Sequence, residues 1–270
     1  MPKIDTSLFE IGTLDRLAAG DTPLHRLDPR AKLITTLGFI LAVVSFGRYD
    51  VAALLPLLIF PLALAIQGNI PGPYLLRKLL IASPFAVMVG IFNPLLDHTV
   101  LMHIAGLNLS GGWISFVAIL LRFTLSVSAA LILVATTGFA QVCMALTRLG
   151  TPRIFATQLL FLYRYIFVLT EEGLRMSRAR DLRSCGKRGT GITIYGFMLG
   201  QLLLRTMDRA GRIHRAMLCR GFDGEVRLNR RLHPSRADVL FVVGWLGFFA
   251  LARAFNLPHE LEKMLVQVFQ

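Results

Sequence analysis

Two arginines stand near the ends of consecutive helical stretches: Arg180 in SRARDLR and Arg220 in RAMLCRGFD. A guanidinium presents five donors in a planar fork, suited to paired contacts with carboxylates or carbonyl oxygens on another molecule. A cation near a helix C-terminus also complements the helix dipole, and an isolated Arg-Gly most often marks a solvated helix end. Two such ends on consecutive amphipathic helices lower the weight of that reading. The triplets concerned are Ala179-Arg180-Asp181 and Cys219-Arg220-Gly221.

Other reactive side chains are less organised. Asp97, His98 and His103 fall in DHTVLMH. Carboxylate and imidazole suit a transition metal, but the spacing matches no standard ligand motif, so His98 and His103 are secondary metal candidates. Cys143, Met144, Met217 and Cys219 could supply soft ligands, yet methionines on apolar helix faces are usually packing residues. The three cysteines show no CxxC spacing. No GxxxxGK[ST] loop is present for ATP, and no serine–histidine–acid cluster is evident. The chain is expected to bind no cofactor itself. Asp28-Pro29-Arg30 is a polar turn before an apolar run, read as a membrane-entry cap with Arg30 and Lys32 snorkelling to the interface. Arg122 lies inside an apolar stretch, where a charge is a functional-site candidate by default.

The elements that position these residues are membrane helices. The 270 residues are 54% hydrophobic with mean hydropathy +0.61, too apolar for an ordinary soluble domain. Apolar runs predict five spans: 33–47, 51–67, 79–96, a fourth over 113–137, and 239–252. The first and last are short of about 20 residues and must tilt or recruit flanking residues. The N-terminus shows no signal-peptide core. The net charge of +13 would suggest nucleic acid in a soluble protein, but here it reflects retained cytoplasmic loops. Eighteen of the 29 basic residues lie in 140–238 and none in 97–112. The N-terminus and 140–238 are therefore expected in the cytoplasm, with the 97–112 loop and the C-terminus outside.

The segment 140–238 reads as three helices. The first covers about 140–149 and stops at Gly150 before Pro152. The second starts near 152–154 and stops around Gly186 or Gly189; it is apolar at first and charged later, with Glu171 placed to pair with Arg175. The third covers about 192–220, with Gly221 as its terminating residue. It shows one face of Met207, Ala210, Gly211, His214, Met217 and Leu218, and another of arginines with Asp208. The expected organisation is all-α and polytopic: spans in 1–139, about three cytoplasmic or interfacial helices in 140–238, and a last span with its tail in 239–270.

RARDLRS (178–184) and RAMLCRGF (215–222) resemble the paired Ala-Arg-Gly signatures of the T component of energy-coupling factor transporters, most closely its cobalt branch, CbiQ. HRLDPRAKL (25–33), LRFTLSVSAALILVATT (121–137) and LTRLGTPRIFATQLLFLYRYIFVL (146–169) extend the likeness from about residue 24 to 251. The first signature departs by Asp181 for glycine and the second by Cys219 for alanine. The resemblance implies a non-catalytic membrane scaffold of the cell's inner (plasma) membrane. Helices bearing Arg180 and Arg220 would dock on a dimer of ATP-binding-cassette ATPases. ATP would be bound by those partners, and cobalt or nickel by a separate substrate-binding membrane subunit. A permease with its own pathway would need polar residues along several spans. A membrane enzyme would need clustered carboxylates or histidines, and Glu171, Glu172, Asp181 and Asp208 are scattered among arginines.

Overall fold

The computed structural model describes residues 17–47, 50–96, 100–104, 107–183, 192–224 and 235–254. The chain is an all-α membrane protein that divides into two compact units, Met1–Ala145 with Arg231–Gln270, and Leu146–Arg230. Among the described residues, four helical segments are long and apolar enough to cross a membrane: Gly72–Pro94, Gly111–Thr137, Arg153–Arg183 and Arg236–Ala254.

The first unit begins with a single turn, α1 (Pro23–Arg26), and a 17-residue helix, α2 (Pro29–Ser45). The second apolar run is broken: α3 (Val51–Leu54), a 3-10 turn at Pro56–Leu58 and α4 (Ile59–Gln67). Pro56 and Pro61 explain the break, since each lacks an amide donor and its ring crowds the preceding turn. Set beside the five expected spans, length and composition alone single out four helices among the described residues. The first two runs are too short or too interrupted to meet the length of a simple crossing, while the helix from Arg153 does meet it. Next come α5 (Gly72–Gly90), which accommodates Pro84, and α6 (Phe92–Leu96). The expected loop after them contains an antiparallel hairpin of β1 (Val100–Ile104) and β2 (Leu107–Ser110), with His103 opposite Asn108. Asp97 and His98 lie outside the described residues. The unit continues with α7 (Gly111–Thr137) and the start of α8 (Phe139–Arg148), and closes with α11 (Arg236–Ala254).

Helix α2 packs between α11 and α7, and α7 also carries α5. Phe39 of α2, Phe60 of α4 and Phe249 of α11 are almost inaccessible and form the centre of the core. The Phe39 and Phe60 rings stack at 4.5 Å, and Trp245 meets Phe60 edge-on at 4.9 Å. Gly38 permits close approach of α2 and α11: a Cβ there would stand 2.5 Å from Leu246 Cδ2. Apolar side chains such as Leu80, Ile81, Phe85 and Met88 of α5 are exposed, as suits a surface facing lipid.

Both ends of α2 are fastened by charged side chains. At its start, the Asp28 carboxylate accepts from the Arg30 amide at 2.9 Å, an ordinary N-cap. The Asp28 amide itself donates to Asp238 Oδ1 at 2.8 Å, while Asp238 Oδ2 accepts from the Ser235 amide at 2.7 Å. Asp238 is in the first turn of α11, so one buried carboxylate holds the N-termini of two helices distant in sequence. Lys32 does not snorkel: it is 4% exposed and donates to the Thr136 carbonyl at the end of α7. At the other end of α2, Arg122 of α7 donates to the carbonyls of Phe46 and Gly47. The guanidinium of Arg253 lies 4.8 Å from the Phe46 ring centre. Helix α2 is only about 25 Å long against a hydrocarbon layer of about 30 Å, so its last carbonyls need such partners. Arg122 therefore serves as an internal cap.

Beside this clamp, buried His25 accepts from the Thr22 hydroxyl at Nδ1 (2.7 Å) and donates from Nε2 to the Leu17 carbonyl (2.9 Å). These bonds fit the neutral ring carrying its proton on Nε2. Burial holds the His25 pKa below the ordinary value; the Leu17 carbonyl opposes this, Lys32 adds to it, and Asp21 opposes it.

Two predictions follow from these contacts. Hydrogen bonds to charged groups contribute about 1.5–3 kcal/mol each. Asp238→Ala should therefore lower the thermal midpoint in detergent strongly. Asp238→Asn should lower it less, because one acceptor oxygen remains. For His25, folding favours the neutral form. Its contribution is complete above the unfolded pKa of about 6.5 and is lost as pH falls through the lower folded value. Midpoints should drop on acidification through this range, and His25→Gln should flatten that part of the profile.

Candidate functional site

The second unit is built on two long helices, α9 (Arg153–Arg183) and α10 (Ile192–Cys219). The chain enters them from α8 through Gly150, whose φ of +107° suits glycine. The Thr151 amide reaches back to the Leu146 carbonyl at 3.1 Å and closes the α8 terminus. Pro152 then precedes Arg153 and fixes the next start.

Contacts between α9 and α10 follow an antiparallel order. The Arg180 guanidinium lies 5.2 Å from the Tyr195 ring centre. Further along, Arg205 Nη1 pairs with Glu172 Oε1 at 2.7 Å. At the far end the Phe161 and Phe222 rings are 6.4 Å apart, and the Thr157 hydroxyl donates to the Gly224 carbonyl at 3.3 Å. Glu171 and Arg175 form the expected pair within α9 at 2.6 Å. The Glu172–Arg205 pair is partly sheltered and joins the two helices, whereas the Glu171–Arg175 pair lies in solvent, where water and salt screen it.

The two arginine triplets occupy different local settings. Ala179, Arg180 and Asp181 lie within the last turns of α9, which continues through Asp181 to Arg183. Arg180 is half-buried; Ala179 and Asp181 are exposed. The stop expected at Gly186 or Gly189 lies outside the described residues. Cys219 is the last helical residue of α10, Arg220 is its cap, and Gly221 follows with φ of +76°. The Phe222 amide donates to the Met217 carbonyl and the Gly221 amide to the Leu218 carbonyl, both at 3.0 Å. This is a Schellman termination, and Phe222 and Met217 meet at one wall of a groove, its usual apolar contact. Cys219, Arg220 and Gly221 are all exposed.

Because the helices are antiparallel, their C-terminal ends point opposite ways. Arg180 sits beside Tyr195, and Arg220 lies about 25 residues further along α10, roughly 37 Å at 1.5 Å per residue. The sequence shows two comparable helix ends; the fold separates them along the whole length of α10. The faces of α10 also differ from the expected ones. The partly buried stripe is Met198, Leu202, Thr206, Ile213 and Met217, while Met207 is 66% and Leu218 53% exposed. No residue of α10 is fully buried.

Cys143 is buried in α8, which raises its thiol pKa by desolvation. Met217 lines the groove against Phe222, and Cys219 faces outward. Among the described residues, no group of three or more histidine, cysteine, aspartate or glutamate side chains is arranged to hold a metal ion. What sequence reasoning missed was Tyr195 beneath Arg180, Glu172 as the partner of Arg205, and Phe222 as the closing residue of α10. The FD following the second arginine glycine was the available signal for the last, since an apolar residue after a C′ glycine commonly packs back on its helix.

The model of the CbiQ family, described as cobalt transport protein, matches residues 20–231. An uncharacterized protein of Methanocaldococcus jannaschii, MJ1571, is 28% identical over 246 residues, which cover 86% of this chain and 82% of that protein. A second protein of that organism, MJ1089, also uncharacterized, is 28% identical over 119 residues, covering 43% of this chain and 44% of its own length.

The backbone at Gly221 gives a direct prediction. A side chain in the left-handed region costs about 1–2 kcal/mol. Gly221→Val should fray the end of α10, seen as faster hydrogen exchange at 217–222, while exchange at 192–205 stays unchanged.

Proposed function

This chain belongs to the CbiQ family of cobalt transport proteins, and from that premise we propose that it is the coupling (T) subunit of an energy-coupling factor importer. In this reading it is not an enzyme. ATP is bound and hydrolysed by a pair of ATP-binding-cassette subunits, and cobalt, or nickel, is held by a separate membrane subunit. The chain converts closure of the ATPase pair into displacement of that substrate-binding subunit. It lies in the inner membrane with its N-terminus and the basic parts of 140–238 on the cytoplasmic side, where arginine and lysine are concentrated, and with the apolar first half of α9 interfacial or buried in the membrane from that side.

One observation carries the reading: the two arginine-bearing helix ends face opposite ways on one antiparallel pair, roughly 37 Å apart. No single socket can receive both, and a dimer of like subunits offers two equivalent ones. A helix is suited to the task because its hydrogen-bonded rise resists compression, so movement at either tip is passed along its axis. A guanidinium seated in a closed groove with a carboxylate is desolvated and holds far better than an exposed pair.

Truncating one partner of a buried interfacial charge pair costs about 2–5 kcal/mol. Arg180→Ala and Arg220→Ala should each reduce recovery of the ATPases with the purified complex, and the double variant should abolish cobalt uptake. Normal co-purification of the double variant with both ATPases would refute the docking role. Topology is tested separately on a Cys143→Ser, Cys185→Ser background. A membrane-impermeant maleimide should reach the exposed Cys219 in inside-out vesicles and not in right-side-out ones.

A further inference from the structure

Helices α9 and α10 leave an apolar groove of about 360 Å³ between them. Its α9 wall is the stripe Phe161, Tyr165 and Leu169, one residue per turn. Its α10 wall includes Arg209, Ala210 and Met217. The volume falls in the range of small-molecule sites, about 300–1,000 Å³.

The groove has a polar end and an apolar end. Arg209 stands at the level of Leu169 and Glu171, where α9 changes from its apolar first half to its charged second half. The nearby acids are already engaged: Glu171 with Arg175 and Glu172 with Arg205. Arg209 also lies close enough to act on the Glu171 carboxyl, but Arg175, Arg205, Arg209 and Arg212 face only Glu171, Glu172 and Asp208, so one positive charge is left over at this end. At the opposite end the walls are Phe161, Met217 and Phe222. Ile154, Phe155 and Leu162 on the same half of α9 are exposed, an apolar surface from which a hydrocarbon chain can enter sideways.

We propose that this groove binds an anionic phospholipid, with one acyl chain along the Phe161–Phe222 half and the phosphate on the Arg209 guanidinium. Charge complementarity and the polar-to-apolar order select the ligand: a fork of donors matches phosphate oxygens, and a zwitterionic headgroup would bring a second cation against Arg209. Bound there, the lipid fills the space between two helices otherwise joined by few contacts. The proposal rests on the geometry of this unit and is independent of the docking role of Arg180 and Arg220.

The test is native mass spectrometry of the full-length protein, released from nanodiscs containing phosphatidylglycerol or phosphatidylcholine. Wild type should retain one phosphatidylglycerol in preference to phosphatidylcholine. Arg209→Gln should reduce that retention by about tenfold, whereas Arg212→Gln, an equal loss of charge on the same helix outside the groove, should not. Ala210→Trp, which fills the slot, should abolish retention with helicity unchanged. Equal losses in Arg209→Gln and Arg212→Gln would mean diffuse surface attraction and overturn the proposal. So would unchanged retention in Arg209→Gln, or recovery of a peptide in place of the lipid. If Ala210→Trp fails to fold, the comparison of the two glutamine variants still decides.

Discussion

The structure depends on satisfying the backbone ends of a helix too short for its surroundings. Helix α2 lies at the centre of the membrane unit, and its 17 residues leave unpaired amides at one end and unpaired carbonyls at the other. In hydrocarbon each such group would cost several kcal/mol. Asp28 and Asp238 meet the amides; Arg122 meets the carbonyls. The same bonds fix the placing of α11 and α7 against α2, so capping and tertiary assembly are one event. The aromatic core of Phe39, Phe60, Trp245 and Phe249 can then pack without strain in the space those bonds define.

The second unit follows a different logic. Its two helices are long, mostly half-exposed and joined by a few spaced contacts: a cation–π pair, an ion pair and an aromatic pair. Such an arrangement buries little apolar area, so it gains little intrinsic stability from packing. It leaves most of both helices available to other molecules. That is a reasonable division of labour for a family whose members work in multi-subunit transporters: a tightly capped membrane body, and a sparsely packed pair whose surfaces are completed by others.

Charges inside apolar sequence deserve a double reading. Arg122 looked like a functional intramembrane group, and Arg30 and Lys32 like snorkelling flanks. Arg122 and Lys32 instead donate to helix-terminal carbonyls within the same unit. The apolar matrix makes such contacts strong because water does not compete, and it makes omission costly for the same reason. Arg209 differs, because it borders an apolar slot where arginines outnumber the acids.

The sequence by itself determined the helical class, the stops at Gly150 and Gly221, and the Glu171–Arg175 pair. Each depends on interactions within a few residues, or on apolar periodicity, and these are written locally. Only the tertiary structure decided that Asp238 serves two helices, that Lys32 and Arg122 cap distant carbonyls, and that α10 turns its Met198–Leu202–Thr206–Ile213–Met217 stripe to α9. It also placed Arg180 and Arg220 at opposite ends of one pair. The physical reason is that partner choice across more than 70 residues depends on which helices lie side by side and in what direction, and no local spacing encodes that.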